Sequence, residues 1–418
     1  MGLLRYLLPV VATTVAVSSL GIAQTPDMDR DTEALKEYIK TKRSISVRDK
    51  GGELSLSGDV RFEYQSLAET SDGITQRGSG TGLANHVFDT EVNLMFDYRA
   101  DDSWASLKLE FDNNAGDTSS RANGTVLGSG QDSQLSLQRA FAGYNLFEED
   151  TARLDVEVGR RKLYDLFRSK VQFAGTMDGI ILKYANSLEA MGDFYANGGM
   201  WIVDDTVDHY AWAVELGLAD IADSGMYARY SYIDWDHSGA DKYGNKPGIN
   251  GLGRWWQSRN SQLSVGYKFQ PEVLRSDLNV YGAYLINHAS KKLAKVDNKK
   301  KNKAWYLGAR LGKIEYKGDF SIDVNYQSVG AQAVLDQEVA GIGRGNAAGS
   351  EFASFADTAN ARTVKGNANY KGYAIEALYA VTDNWTWGME YESSNAADKK
   401  VGGRNSYHKF EVETVYSF

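Results

Sequence analysis

Between Glu53 and Gln65 the chain reads ELSLSGDVRFEYQ, an alternation that puts Leu54, Leu56, Gly58, Val60, Phe62 and Tyr64 on one face. Ser55, Ser57, Asp59, Arg61, Glu63 and Gln65 fall on the other. A segment with a period of two and one polar face is a strand wet on one side only. The same period returns at 88–99, 105–112, 154–161, 210–218, 263–269, 278–287, 320–327, 375–381, 385–392 and 410–418. Weaker repeats lie at 135–146, 180–184, 194–203, 226–232 and 305–311, giving sixteen segments in all.

A soluble sandwich would also alternate, so the connections decide. A transmembrane barrel has long outer loops and short periplasmic turns in succession. Here 66–86, 113–133, 162–177, 235–261, 288–304, 328–372 and 393–408 are long, while 101–104, 147–153, 185–192, 219–225, 270–276, 312–319 and 382–384 are short. Only the brief 204–208 breaks the rule. An even number of strands, with both ends on the short-turn side, follows.

Composition agrees with this topology. There are 25 tyrosines, and rings collect at segment ends, where headgroup girdles form. Tyr64, Phe111, Tyr230, Tyr284, Tyr326 and Tyr391 are placed at the outer rim, and Tyr98, Tyr144, Tyr184, Tyr267, Tyr379 and Tyr416 at the inner. Most rings fall on the lipid side in this register, leaving no aromatic track along the lumen. The 4 prolines (Pro9, Pro26, Pro247, Pro271) avoid every strand segment, as unbroken ladders require. No cysteine is present, which excludes disulfide scaffolds, zinc ribbons and thiol nucleophiles. A net charge of -9 argues against a nucleic-acid binder, whose footprint is basic.

Residues 1–23 read as a secretory signal, with Arg5 as the charged region, Leu7 to Val17 as the apolar stretch and Gly21-Ile22-Ala23 as the cleavage site. Residues 24–52 form a periplasmic leader in which ALKEYIKTKR (34–43) reads as a short charged helix or a flexible segment. The barrel occupies 53–418. The fold expected is therefore all-β: a transmembrane antiparallel up-and-down barrel of about 16 strands.

The chain ends Phe410-Glu-Val412-Glu-Thr414-Val-Tyr416-Ser-Phe418, which resembles the C-terminal signature of Gram-negative outer-membrane porins. In that family a final phenylalanine, with outward residues at alternate positions (here Val412, Thr414, Tyr416, Phe418), is read by the barrel-assembly machinery. The resemblance implies an outer-membrane location, contact with lipid and lipopolysaccharide, passage of small hydrophilic solutes, and an assembly that includes homotrimers. The PEFGG-like constriction motif of general porins is absent, so their pore geometry does not carry over in detail.

On the barrel reading, the lumen takes Asp59, Arg61, Glu63, Asp89, Glu91, Lys108, Glu110, Asp112, Asp155, Glu157, Arg161, Lys183, Arg229, Lys268, Asp323, Glu376, Glu390 and Glu411. Acids outnumber bases, which predicts a weak cation preference, while pairing across strands would leave the same charges merely filling a wet interior. The third long connection carries Arg168 and Lys170 after Arg160, Arg161 and Lys162. Folded inward, as the third loop is in general porins, this basic loop would set a transverse field at the narrowest point.

Other features carry less. The lysines between Lys291 and Lys303 read as a solvated outer loop able to meet lipopolysaccharide phosphates. The five histidines cluster near the outer rim without metal-ligand spacing. Gly341-Ile-Gly343-Arg-Gly345 lacks the strand and helix of a phosphate loop. Asp27, Asp29 and Asp31 lack the glycine and distal glutamate of a calcium loop. No cofactor, metal or catalytic residue is expected. The function expected is a porin for passive diffusion; the alternatives are a substrate-selective porin for carbohydrate or acidic solutes, an adhesin, or a barrel enzyme.

Overall fold

The computed structural model describes residues 45–49, 51–79, 84–113, 134–204, 209–235, 258–273, 276–290, 292, 297–335, 338–342, 368–401 and 403–418. The strands are β1 (Ile45–Asp49), β2 (Gly52–Ser71), β3 (Ile74–Thr75), β4 (His86–Ala100), β5 (Ser103–Asp112) and β6 (Gln134–Glu148). They continue with β7 (Ala152–Lys162), β8 (Thr176–Leu188), β9 (Gly192–Asp204), β10 (His209–Ala219), β11 (Met226–Trp235) and β12 (Ser258–Phe269). The last six are β13 (Leu278–Asn287), β14 (Lys303–Gly312), β15 (Phe320–Val329), β16 (Tyr370–Ala380), β17 (Trp385–Ala396) and β18 (Asn405–Ser417). The helical pieces include short 3₁₀ turns at Leu163–Asp165 and Ile221–Asp223.

Apart from the short β1 and β3, the sixteen strands correspond one to one with the sixteen alternating segments. Each pairs antiparallel with its neighbour in sequence, and β2 pairs with both β4 and β18, so the barrel closes. Closure leaves no edge in lipid, where an unpaired backbone group costs several kcal/mol. On the edge of β2 that faces β18, the pairing begins at Asp59↔Ser417; below it β1 pairs Ile45↔Leu56 through Asp49↔Gly52. The leader's end thus covers the part of that edge beyond the C terminus. The helix expected at 34–43 lies outside the described residues.

The alternation is realised as two unlike faces. Leu54, Leu56, Phe62, Tyr64, Phe88, Tyr98, Phe111, Tyr144, Tyr267, Tyr379 and Tyr416 are exposed outward, while intervening side chains such as Asp59, Asn93, Glu157 and Glu413 are buried inside. In the inward face several rings lie flat over a directly paired glycine: Trp104 over Gly143, Tyr195 over Gly217, Tyr227 over Gly266 and Tyr281 over Gly308. A β-carbon at any of these glycines would strike the ring. Part of the chain's glycine content thus makes room for aromatic side chains, and rings occupy the lumen wall as well as the lipid face.

Candidate channel lumen

Successive residues of a strand point to opposite faces. That parity places all eighteen of the residues expected in the lumen, from Asp59 on β2 to Glu411 on β18, on the inward side. Lys268 is at the end of β12 that meets the short connection to β13 and is exposed.

Around the seam the charges are tied to one another. Arg61 Nη2 reaches Glu63 Oε2 at 2.7 Å and Glu413 Oε2 at 2.9 Å, and its Nη1 lies 3.6 Å from Glu91 Oε2. Lys409 Nζ donates to Glu390 Oε2 at 2.5 Å and to Glu411 Oε2 at 3.0 Å. Asn93 Nδ2 donates to Asp59 Oδ1 at 2.9 Å and also to Glu91. A second network sits on β5, β7 and β8: Glu157 accepts from Arg161, from Lys183 Nζ at 2.6 Å and from Trp104 Nε1 at 3.1 Å. The Arg161 guanidinium lies 4.2 Å from the centroid of the Phe141 ring.

The segment 163–175 between β7 and β8 lies inside the barrel. Leu163, Leu166, Phe167, Val171 and Phe173 are buried. Leu166, Phe167 and Phe173 pack with Met177, Ile181, Trp201, Ile233 and Trp235 of the wall. The main chain of Arg168 donates to Glu215 Oε2 at 2.9 Å, and its carbonyl accepts from Gln262 Nε2 at 2.7 Å. Lys170 Nζ lies 3.1 Å from Asp323 Oδ1 on β15, almost diametrically across the lumen from β7 and β8. The same carboxylate accepts from Tyr281 Oη at 2.8 Å. Lys162, at the end of β7, is half-buried and within electrostatic range of Glu110.

Arg160 departs from the grouping expected for the constriction. Strand parity turns it outward, opposite to Arg161, where Nε and Nη2 form a bidentate pair with Asp178 at 2.8 and 2.6 Å. The pair is largely exposed, so Arg160 is a residue of the outer face.

Sequence reasoning missed a second inward segment. Residues 330–335 and 338–342, at the start of the long connection after β15, are buried within the barrel; Ala331, Ala333, Val334, Leu335, Val339 and Ile342 are the most enclosed. An apolar run, AVL at 333–335 and VAGI at 339–342, was the available signal in an otherwise polar loop.

With these two segments in place, one side of the wall carries a cluster of inward charges that keep contact with solvent. Acids are at Asp89, Glu91, Glu110 and Asp112 on β4 and β5; bases are at Arg139, Arg161 and Lys183 on β6 to β8. By contrast Glu215 and Asp323 are buried under the loops.

The outer rim is ordinary by comparison. His86 Nδ1 shares a hydrogen bond with Tyr64 Oη (2.9 Å) and His288 Nε2 one with Ser261 Oγ (2.9 Å). Lys301 pairs with Asp398 at 2.6 Å and Lys400 with Asp297 at 2.8 Å, tying the connection after β13 to the one after β17. Lys291, Lys295, residues 343–345 and the aspartates at 27, 29 and 31 lie outside the described residues. At the C terminus, Val412, Thr414, Tyr416 and Phe418 share the outward face. Phe418 exchanges two 2.9 Å main-chain hydrogen bonds with Gly58 and lays its ring over that residue.

A closed sixteen-stranded antiparallel barrel, apolar outside and charged within, with long connections at one end and a segment folded into its lumen, is the fold of bacterial outer-membrane porins. Solved structures of bacterial outer-membrane proteins are similar to it over most of its length. OprB of Pseudomonas putida, in its high-pH structure, matches 87% of this chain and 94% of its own with a TM-score of 0.51 at 11% identity. OmpF of Salmonella typhi, solved with daunomycin, matches 90% and 100% with a TM-score of 0.48 at 15% identity. A mutant porin of Rhodopseudomonas blastica matches 87% and 100% with a TM-score of 0.41 at 11% identity. No protein-family model matches the sequence. No curated protein matches it either.

Proposed function

We propose that the protein is an outer-membrane porin, a water-filled channel for passive diffusion of ions and small hydrophilic solutes, weakly cation-preferring. What carries this reading is the opposition of the two faces: an apolar exterior around an interior whose charges are set into the wall and tied to one another in networks. A sixteen-stranded barrel is too wide for side chains alone to fill, so water and inward loops occupy the remainder. Acidic side chains on β4 and β5 facing basic ones on β6 to β8 give the passage a transverse field, and the excess of acids around the seam biases it toward cations.

The segment 163–175 narrows the passage. The signal at 1–23 directs the chain across the inner membrane, the signature at Val412, Thr414, Tyr416 and Phe418 engages the assembly machinery, and the basic connection near Lys299 to Lys303 meets lipopolysaccharide phosphates. Protein refolded into planar bilayers should give discrete conductance steps and a cation-signed reversal potential in a salt gradient. Deleting 163–172 should raise the step size. Absence of steps would defeat the reading.

A substrate-selective porin is the second reading, favoured by rings in the lumen wall beneath cationic groups, with Arg161 over Phe141 and Arg153 5.6 Å from the Trp104 centroid. Saturable block by a sugar or an acidic solute distinguishes it from general diffusion.

A further inference from the structure

The buried run after β15 is joined to the third-loop segment as tightly as to the wall. The Ala340 amide donates to the Val171 carbonyl at 3.2 Å, the Ala174 amide donates to the Glu338 carbonyl at 3.3 Å, and the Gly175 amide donates to Glu338 Oε2 at 3.2 Å. These bonds satisfy main-chain groups that a loop crossing a lumen must otherwise leave to water. Apolar contacts run the same way in both directions. Leu335 packs into the cluster around Phe167 and Phe173, while Val171 packs into the cluster of Val334, Val339, Ile342, Tyr281, Tyr306 and Tyr370.

The run is also anchored at its other side. The Gly330 and Gln332 amides donate to the carbonyls of Lys303 and Lys301 at 2.9 and 2.7 Å. Asn287 Nδ2 donates to the Gln332 carbonyl at 2.8 Å, and the Ile342 amide donates to Gln327 Oε1 at 3.2 Å. Gly175 and Gly341 lie where a β-carbon would meet the side-chain ends of Glu338 and of Tyr370 and Gln327, so a substitution at either would make those side chains shift.

We infer that residues 330–335 and 338–342 are a second constriction element. Docked on the third loop, they close the part of the lumen bounded by β11 to β16 and leave the solute passage off-centre, along β4 to β8. The residues that then meet a passing solute are those on the open side, such as Glu91, Glu110, Arg161 and Lys183, whereas Asp323 and Glu215 only hold the loops. The inference rests on the porin reading for its conductance consequences but not for the docking itself.

Two variants test it. Val334→Asp combined with Val339→Asp and Ile342→Asp would bury three carboxylates in an apolar cluster, so the run should leave the lumen. The unit conductance should rise by roughly twofold or more, with a larger solute exclusion limit. Val171→Cys combined with Ala340→Cys, in a chain with no other cysteine, should form an intramolecular disulfide on mild oxidation while conductance stays at the wild-type level. A triple variant that is folded, as judged by heat-modifiable gel mobility, and conducts like wild type would overturn the inference. So would a folded cysteine pair that does not cross-link. Wild-type protein giving no conductance steps would instead defeat the porin reading, and the cross-link, read on a gel, would still decide whether the run is docked.

Discussion

Glu157 is the residue whose replacement most directly tests whether wall charge steers ions. Its carboxylate, 2% exposed, holds the Arg161 and Lys183 cations and accepts from Trp104. Glu157→Gln keeps the shape and an acceptor for the indole N–H while raising the local charge from +1 to +2. Lys183, the more exposed of the two cations, is then free to swing toward the passage. A monovalent ion passing about 6 Å from the added charge in a water-filled lumen feels about 0.7 kcal/mol. Screening in 0.1 M salt lowers this to about 0.4 kcal/mol.

That energy roughly halves the local cation concentration and doubles that of anions, so the cation-to-anion permeability ratio should fall about fourfold. The assay is the reversal potential across a potassium chloride gradient with a mean near 0.1 M, repeated near 1 M, where the Debye length is about 3 Å and the shift should nearly vanish. Conductance in symmetric salt should change little. An unchanged reversal potential at low salt would refute the placement of this network beside the ion path. A shift that persists undiminished at high salt would show that the effect is not electrostatic.

At the seam, Gly58→Ala places a β-carbon 2.7 Å from the Asn93 carbonyl oxygen and 2.7 Å from Phe418 Cζ. The overpacking should cost about 1–3 kcal/mol and lower the temperature at which the folded band converts on gels. Because one of the clashing atoms is backbone, adding Phe418→Ala should not rescue it. Arg160→Ala should leave both conductance and reversal potential unchanged and cost less than about 1 kcal/mol, since its ion pair with Asp178 is outward and largely exposed. Arg161→Ala, one residue on, should instead move the reversal potential toward cations.

The Lys400 ammonium holds the Asp297 carboxyl below the ordinary aspartate value of 3.8. For Asp398, partial burial pushes upward, but the hydrogen bond from Lys301 prevails and its pKa is also lowered. Depressed carboxylates stabilise above their unfolded value and lose that contribution as pH falls through the folded one. The tie between these outer connections should therefore persist through pH 5 and be released only below about 3.8, as read by protease cleavage within 288–302. Lys301→Ala with Lys400→Ala should allow cleavage at neutral pH.

The strands were legible because lipid and water impose opposite demands on alternate residues, and that demand is strongest within the bilayer. β13 matches its sequence segment at both ends, 278 and 287. β12 begins at Ser258, five residues before its apolar alternation, because outward positions such as Arg259 and Ser261 are polar. β2 runs on to Ser71 past its alternation for the same reason. Periodicity reports the membrane's thickness, while hydrogen bonding sets the strand's length, and the two differ wherever a barrel wall rises beyond the bilayer.

The lumen was less legible because its organisation depends on register and on which loops turn inward. Parity alone separated Arg161 from Arg160, yet adjacency in sequence grouped them. The rings of Trp104, Tyr195, Tyr227 and Tyr281 have inward places only because a glycine stands opposite each, a pairing that no single strand reveals. In the third loop the basic residues are conspicuous, but Lys170 is committed to Asp323, and the burial of Leu166, Phe167, Val171 and Phe173 is what favours the inward position. The same logic applies to 330–335 and 338–342. A loop that carries an apolar run and belongs to a barrel too wide to fill its own interior can bury that run in one place, against whatever else already crosses the lumen. Loop hydrophobicity is therefore the sequence signal for inward folding, and loop charge locates only the residues that remain to face the solute.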